Sequence, residues 1–260
     1  MLTWRMRSGE DAVVYGLGQM GAVFAHGLLR CGARVVPVTR ALDPDEVAAT
    51  TPRPAMVVVA VGEAELGPAL RTMPAPWRDR LVLLQNELLP RTWERYGIAA
   101  PTVAVAWFEK KRDTGVRVLV TTPVAGPLAE DVVQALAEAG VESEVIDDAR
   151  LPFELVAKNL YILTTNLAGL EVGGTVGALW EAHRPLAERI AEDVLDLQEA
   201  MLGARLDRRA LLEKLERVIA ADPEHRCRGR SAPARLARAL EQAREHRVDV
   251  PALRALEARL

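Results

Sequence analysis

The segment Tyr15-Gly16-Leu17-Gly18-Gln19-Met20-Gly21 constrains this chain more than any other. It has the spacing G-x-G-x-x-G. A β-prone run (11–15) precedes it, and helical spacing opens inside it and continues through residues 19–30. The first glycine permits a tight turn, the second removes a side chain where a pyrophosphate would approach the backbone, and the third lets a helix lie close to a strand. The free N–H groups and dipole at the helix start then attract phosphate oxygens. The spacing therefore places a phosphate site on Gly16, Leu17, Gly18, Gln19, Met20 and Gly21. The plainer alternative is a glycine-rich turn that binds no nucleotide.

The rest of the first half supports a strand–turn–helix context. Apolar, β-rich runs recur at residues 33–38, 55–61, 81–84, 102–107, 116–120 and 141–146, and a helical stretch (128–139) ends at Gly140. The run Ala55-Met56-Val57-Val58-Val59-Ala60-Val61 has no polar alternation, as expected of a strand buried on both faces. This alternation predicts a parallel sheet. Beyond Asp147-Asp148 the pattern becomes helical, at 155–170, at 179–202 with a kink or break at Pro185, at 206–220, at 232–247 and in a short last helix opening at Val250-Pro251. The expected class is α/β: a Rossmann-like dinucleotide-binding domain (1–148) followed by an all-helical C-terminal domain (149–260).

Composition narrows the function classes. The 260 residues are 50% hydrophobic and 27% charged, with net charge −3 and pI near 5.9. A net negative chain argues against nucleic acid as a partner. No run approaches the length of a membrane span, and the first ten residues lack an apolar signal core, so no membrane partner and a cytoplasmic setting are expected. Cys31 and Cys227 are too few and too far apart for a disulfide framework or zinc site. The histidines (26, 183, 225 and 246) show no metal spacing, so no metal is expected. Four of the 33 basic residues are lysines, which raises at each lysine the question of what arginine could not do there. Residues 201–260 carry 14 basic and 9 acidic side chains.

The end of the second β run bears on cofactor choice. An acidic residue there accepts from the ribose hydroxyls of NAD. This chain has Thr39-Arg40, and Asp43 and Asp45 come later. A hydroxyl and a guanidinium suit a 2′-phosphate, which favours NADP (as NADPH) over NAD; an ordinary surface arginine is the alternative. Val61 and Gly62, after the third run, complete the expected cofactor contacts.

These residues, with three further segments, resemble the ketopantoate reductase (2-dehydropantoate 2-reductase) family. The segments are Val82-Leu83-Leu84-Gln85-Asn86, residues 158–170 beginning Lys158-Asn159-Leu160-Tyr161, and residues 241–251 ending Val248-Asp249-Val250-Pro251. The resemblance implies a hydride transfer to a small 2-oxo acid, a role in pantothenate biosynthesis, Lys158 as the catalytic lysine and Asn166 as a substrate-orienting asparagine. It also implies that Asn86 contacts cofactor ribose or substrate, that Ser231 lies at the substrate, and that the chain forms a homodimer. The chain departs from the family pattern at Ile162, where the family has asparagine, and at Glu87, where it has glycine. It departs again at Gly62-Glu63, where a lysine is usual, and near Arg230-Ser231, where a substrate-orienting glutamate is usual.

Lys158 follows Phe153-Glu154-Leu155-Val156-Ala157 and precedes an apolar run, so its stem should be buried. Desolvation of an ammonium favours its neutral form and makes it a usable proton donor near neutrality, which a guanidinium is not. The alternative is a helix lysine reaching for water. Arg226, Arg228 and Arg230 suit a carboxylate clamp or, equally, a solvated turn. Ser231 also suits the N-cap of the following helix, Asn166 a backbone-bonding role, and Asn86 a strand-end turn. The reading is an NADP-dependent reductase of a small, carboxylate-bearing substrate. Its rivals are a noncatalytic dinucleotide-binding sensor or partner protein and a related hydroxy-acid or imine reductase.

Overall fold

The computed structural model describes residues 7–260, so part of the segment read for a signal core lies outside the described residues. The chain forms two compact units, which divide between Glu154 and Leu155. The first contains β1 (Asp11–Tyr15), α1 (Gln19–Arg30), β2 (Arg34–Val38), α2 (Pro44–Thr50), β3 (Met56–Val59), α3 (Glu63–Arg71), β4 (Leu81–Leu83), α4 (Pro90–Glu94) and β5 (Thr102–Ala104). It continues through β6 (Phe108–Lys110), β7 (Val116–Val118), β8 (Thr122–Ala125), α5 (Ala129–Glu138) and β9 (Ser143–Val145).

Seven strands make one sheet in the order β2-β1-β3-β4-β5-β8-β9. All neighbours are parallel except β5 and β8, which run antiparallel with Val103 opposite Ala125. The sheet is thus parallel, as the alternation predicts, apart from this one pair. The 102–107 run is also shorter than expected: β5 ends at Ala104, and Phe108–Lys110 turns back through Lys111 to pair with Val116–Val118 in a separate ribbon. The 116–120 run thus lies outside the main sheet. Its place beside β5 is taken by Thr122–Ala125, in which Pro123 disguises the strand, since proline cannot donate to a ladder.

The sheet centre follows from side-chain type. Met56, Val57, Val58 and Val59 of β3 are all fully buried. Complete burial of such side chains contributes roughly 1.5–3 kcal/mol each. The half-exposed strand with Pro37 sits at one edge, where a missing donor is tolerated. Helix α1 meets α5 so closely that a Cβ on Gly27 would lie 1.9 Å from the Ala135 carbonyl oxygen. From β2 the chain crosses back over β1 to β3, so strand order reverses between β1 and β3. Open α/β sheets bind ligands at the carboxyl ends of strands at such a point.

The second unit is helical. Helix α6 (Leu151–Val172) starts just before it, and α7 (Val176–Ala182), α8 (Arg184–Leu202), α9 (Arg208–Ala221), α10 (Ala232–His246) and α11 (Pro251–Glu257) follow. The expected long helix at 179–202 is broken before Pro185, which occupies the first turn of α8, where its missing N–H costs nothing. In α6 every residue from 155 to 169 is buried except half-buried Ile162, as befits a helix apolar nearly all round. Asn159 donates to Gln198 Oε1 at 2.9 Å and ties α6 to α8. Buried Asp193 of α8 accepts from the Leu253 N–H at 2.9 Å and caps α11; burial raises its carboxyl above the usual range. Among the described residues no helix is long and apolar enough to cross a membrane.

Candidate functional site

The glycine turn sits at the strand-order reversal. Gly16 has φ +97°, and a Cβ there would lie 2.8 Å from the Ala60 carbonyl oxygen. A Cβ on Gly21 would lie 1.9 Å from the Gly16 carbonyl oxygen. Both positions demand glycine for the fold itself. Gly18 differs: its backbone is extended, and a Cβ would meet nothing within 4 Å. Gly18 is the N-cap of α1, with no side-chain cap and no acidic residue in the first turn. The helix thus presents uncapped N–H groups to open space, flanked by exposed Leu17 and Gln19 and half-buried Met20. These features fit a dinucleotide pyrophosphate, since an anion is what such a helix start attracts.

Neighbouring loops frame this cradle. Gly16 donates to the Val38 carbonyl at 2.9 Å, which brings the end of β2 beside the turn. Thr39 and Arg40 follow directly. The Arg40 side chain is 96% exposed, and its Nη2 lies 4.0 Å from Glu65 Oε1. Asp43 accepts from the Asp45 N–H and caps α2, so its carboxylate is committed to that helix. On the other flank, Ala60 donates to the Tyr15 carbonyl at 2.7 Å and sets Val61 and Gly62 next to β1. Gly62 is the N-cap of α3, with Glu63 and Glu65 in its first turn.

At the end of β4, Gln85 and Asn86 act as braces. The Gln85 amide donates to the Val59 and Val61 carbonyls at 2.5 and 3.2 Å and fixes the loop that follows β3. Sequence reasoning gave Gln85 no role; the available signal was a polar residue closing an apolar strand, where a buried amide must find partners. Asn86 Nδ2 donates to Glu63 Oε1 at 3.0 Å. The expected strand-end asparagine is therefore held by a glutamate where the family usually has lysine. Glu87 adopts φ +63°, the left-handed conformation that glycine takes without penalty.

The remaining expected residues belong to the second unit. Lys158 on α6 is 8% exposed. Asn166, two turns further on, donates to the Cys227 carbonyl at 2.9 Å and accepts from Arg235 Nη1 at 2.8 Å. Its amide thus bonds other elements, not the backbone of its own helix. Ser231 occupies the N-cap of α10, where its carbonyl accepts from the Arg235 N–H, and its side chain makes no cap bond. Tyr161 on α6 lies 2.7 Å from His225 Nδ1 through its hydroxyl. Burial pushes the Cys227 thiol up to about 11, so it is a thiol at neutral pH. Among the described residues, no group of three or more His, Cys, Asp or Glu side chains is placed to hold a metal.

No protein-family model and no curated protein sequence matches this chain. Solved structures do. A 2-dehydropantoate 2-reductase from Methylococcus capsulatus aligns over 95% of this chain and 94% of its own, with TM-score 0.68 and 15% identity. The chain has the ketopantoate reductase fold. A dimeric ketopantoate reductase from Staphylococcus aureus shares that fold over 95% of this chain and 96% of its own, with TM-score 0.68 and 16% identity. D-mandelate dehydrogenase, solved with NADH and anilino(oxo)acetate, aligns over the same shares with TM-score 0.66 and 13% identity. The ketopantoate reductase fold therefore extends over both units.

Proposed function

We propose that this chain is an NADP-dependent oxidoreductase that reduces the carbonyl of a small 2-oxo acid or runs the reverse oxidation. The observation that carries the reading is the open, uncapped cradle at Gly18 at the strand-order reversal. Relatives in fold include ketopantoate reductases and a D-mandelate dehydrogenase solved with NADH and anilino(oxo)acetate, which supports the reaction class. When bound, the cofactor supplies or accepts the hydride.

The chain's own residues would do the rest. Gly16, Leu17, Gly18, Gln19, Met20 and Gly21 hold the pyrophosphate through backbone N–H groups and the α1 dipole. Thr39 and Arg40 receive the 2′-phosphate; Asp43 is turned to α2, and the Arg40 guanidinium stands at that edge with Glu65 4.0 Å away. Val61 and Gly62 border the cofactor, and Asn86 orients ribose or substrate. Lys158 donates a proton to the carbonyl oxygen as charge develops there, a contribution of about 10²–10⁴ for a positioned acid. Asn166 and Ser231 orient the substrate. The division of labour assigns the cofactor to residues 1–148 and the substrate to 149–260.

A second reading, a noncatalytic dinucleotide-binding protein, is favoured by the commitments of Asn86 to Glu63 and of Asn166 to Cys227 and Arg235. The two readings separate in one experiment. NADPH oxidation is followed by absorbance against a panel of 2-oxo acids, with Lys158→Ala and Lys158→Arg beside the wild type. The proposal expects turnover by wild type, loss of about a hundredfold or more in both variants, and unchanged NADPH affinity. NADPH binding without turnover on any substrate supports the second reading, and full activity in Lys158→Arg removes Lys158 from the mechanism.

A further inference from the structure

The segment 222–231 is a strap fastened along one side of α6. The Pro223 and His225 carbonyls accept from the Gly177 and Val176 N–H groups, and the Cys227 N–H donates to the Gly174 carbonyl. On α6 the strap meets Tyr161 through His225, Asn166 through the Cys227 carbonyl, and Gly169, where a Cβ would lie 2.6 Å from Cys227 Cβ. At 100° per residue, these α6 positions lie within about 80° of the direction of Lys158. The strap therefore covers the helix side on which Lys158 stands.

That strap concentrates arginine. Arg226, Arg228 and Arg230 are all exposed, and none makes an ion pair among the described residues. The strap's carboxylates are Glu224 and buried Asp222. Some arginines elsewhere are matched, Arg34 with Asp11, Arg184 with Glu188 and Glu216, Arg208 with Asp196 and Glu199, Arg259 with Glu171; the strap differs in placing three unmatched guanidiniums within five residues. A further guanidinium, Arg235, is 5% exposed and donates to Asn166 Oδ1. Gly229 lies close above this pair; a Cβ there would be 3.4 Å from Asn166 Oδ1. Backbone bonds hold the strap whether or not an anion is present, so the positive charge is preorganised.

We propose that the strap and Arg235 form a subsite for a second anionic group, so that the substrate is a 2-oxo dicarboxylate. The inference rests on the oxidoreductase reading for its reaction and on the strap for its specificity. Arg235 beside Asn166 contacts the distal carboxylate, and the three exposed guanidiniums supply a field that draws it in.

Two readouts on the intact protein test this. The first is kcat/KM for oxaloacetate and 2-oxoglutarate against the matched monoacids 2-oxobutanoate and 2-oxopentanoate. Wild type should favour the diacids by on the order of ten- to hundredfold, as expected for charge-assisted hydrogen bonds. The preference should shrink as salt is added. In an Arg226→Gln/Arg228→Gln/Arg230→Gln variant, whose sites are exposed, the ratio should fall toward one, while an Arg209→Gln/Arg217→Gln control on α9 keeps it. The second readout needs no turnover: succinate and glutarate should raise Tm in wild type more than butyrate does, and not in the triple variant. Equal use of mono- and diacids, or a triple variant that keeps the ratio, overturns the subsite and leaves the oxidoreductase reading standing. Thermal shifts by dicarboxylates without reduction of any 2-oxo acid support the anion subsite and count against the oxidoreductase reading.

Discussion

Gly18→Ala separates cofactor binding from folding. A Cβ at this position would meet nothing within 4 Å, and the backbone is extended, which alanine adopts freely. Alanine is a poorer N-cap than glycine, at a cost of about 1 kcal/mol or less. Loss of glycine's freedom in the unfolded chain returns about 0.4–1 kcal/mol. Stability should therefore change by less than about 0.5 kcal/mol. The added methyl nevertheless occupies the space in front of the uncapped α1 N–H groups. A phosphate displaced from contact there forfeits charge-assisted hydrogen bonds of about 1.5–3 kcal/mol, which is roughly ten- to hundredfold in NADPH affinity. Gly16→Ala and Gly21→Ala are the contrast, because their Cβ atoms would lie 2.8 and 1.9 Å from backbone oxygens. Both should lower Tm sharply. The assay is a urea titration paired with NADPH binding by quenching of tryptophan fluorescence. A Gly18→Ala protein that binds NADPH as tightly as wild type would refute the assignment of the pyrophosphate to this turn.

Two further outcomes follow from the geometry. Glu199 accepts from Arg208, Arg205 and the Leu206 N–H, and the Arg208 hydrogen bond leads in holding its carboxyl down to about 2. A depressed carboxyl stabilises the fold above its unfolded value and loses that contribution as pH falls toward about 2. Screening of the partly exposed arginines reduces the worth of this cluster, so Glu199→Gln should cost about 1–2 kcal/mol at neutral pH and little near pH 2, read by urea denaturation across pH. Glu87→Gly relieves left-handed strain of about 1 kcal/mol but adds about 0.4–1 kcal/mol of unfolded-chain freedom, so Tm should rise by no more than about 2 °C; a fall in Tm by scanning calorimetry would show that contacts of the glutamate side chain outweigh the strain.

The fold was legible where local chemistry and topology agree. The glycine spacing marks the β1–α1 turn, and the unbroken 55–61 run marks a strand buried on both faces. Pro185 marks the start of α8. The sheet's far half was less legible because Pro123 conceals β8 and because the 116–120 run pairs locally with Phe108–Lys110. The braces were harder still. Nothing within a few residues of Asn86 reveals that Glu63 accepts its amide, and Asn166 finds Cys227 and Arg235 some sixty to seventy residues away. Such partners depend on tertiary placement, which periodicity does not carry. The charge of the strap was visible as Arg226, Arg228 and Arg230, but its lack of carboxylate partners and its course along the Lys158 side of α6 are features of the folded chain.

The central claim is hydride transfer to the carbonyl carbon of a 2-oxo acid. It is tested most directly by supplying NADPH deuterated at the transferable position of its nicotinamide ring, together with a mixture of 2-oxo mono- and dicarboxylates, and reading the products by mass spectrometry. The account predicts a 2-hydroxy acid carrying one deuterium at its second carbon, formed by wild type and strongly diminished in Lys158→Ala. NADPH bound by the protein with no deuterium in any hydroxy acid would contradict it.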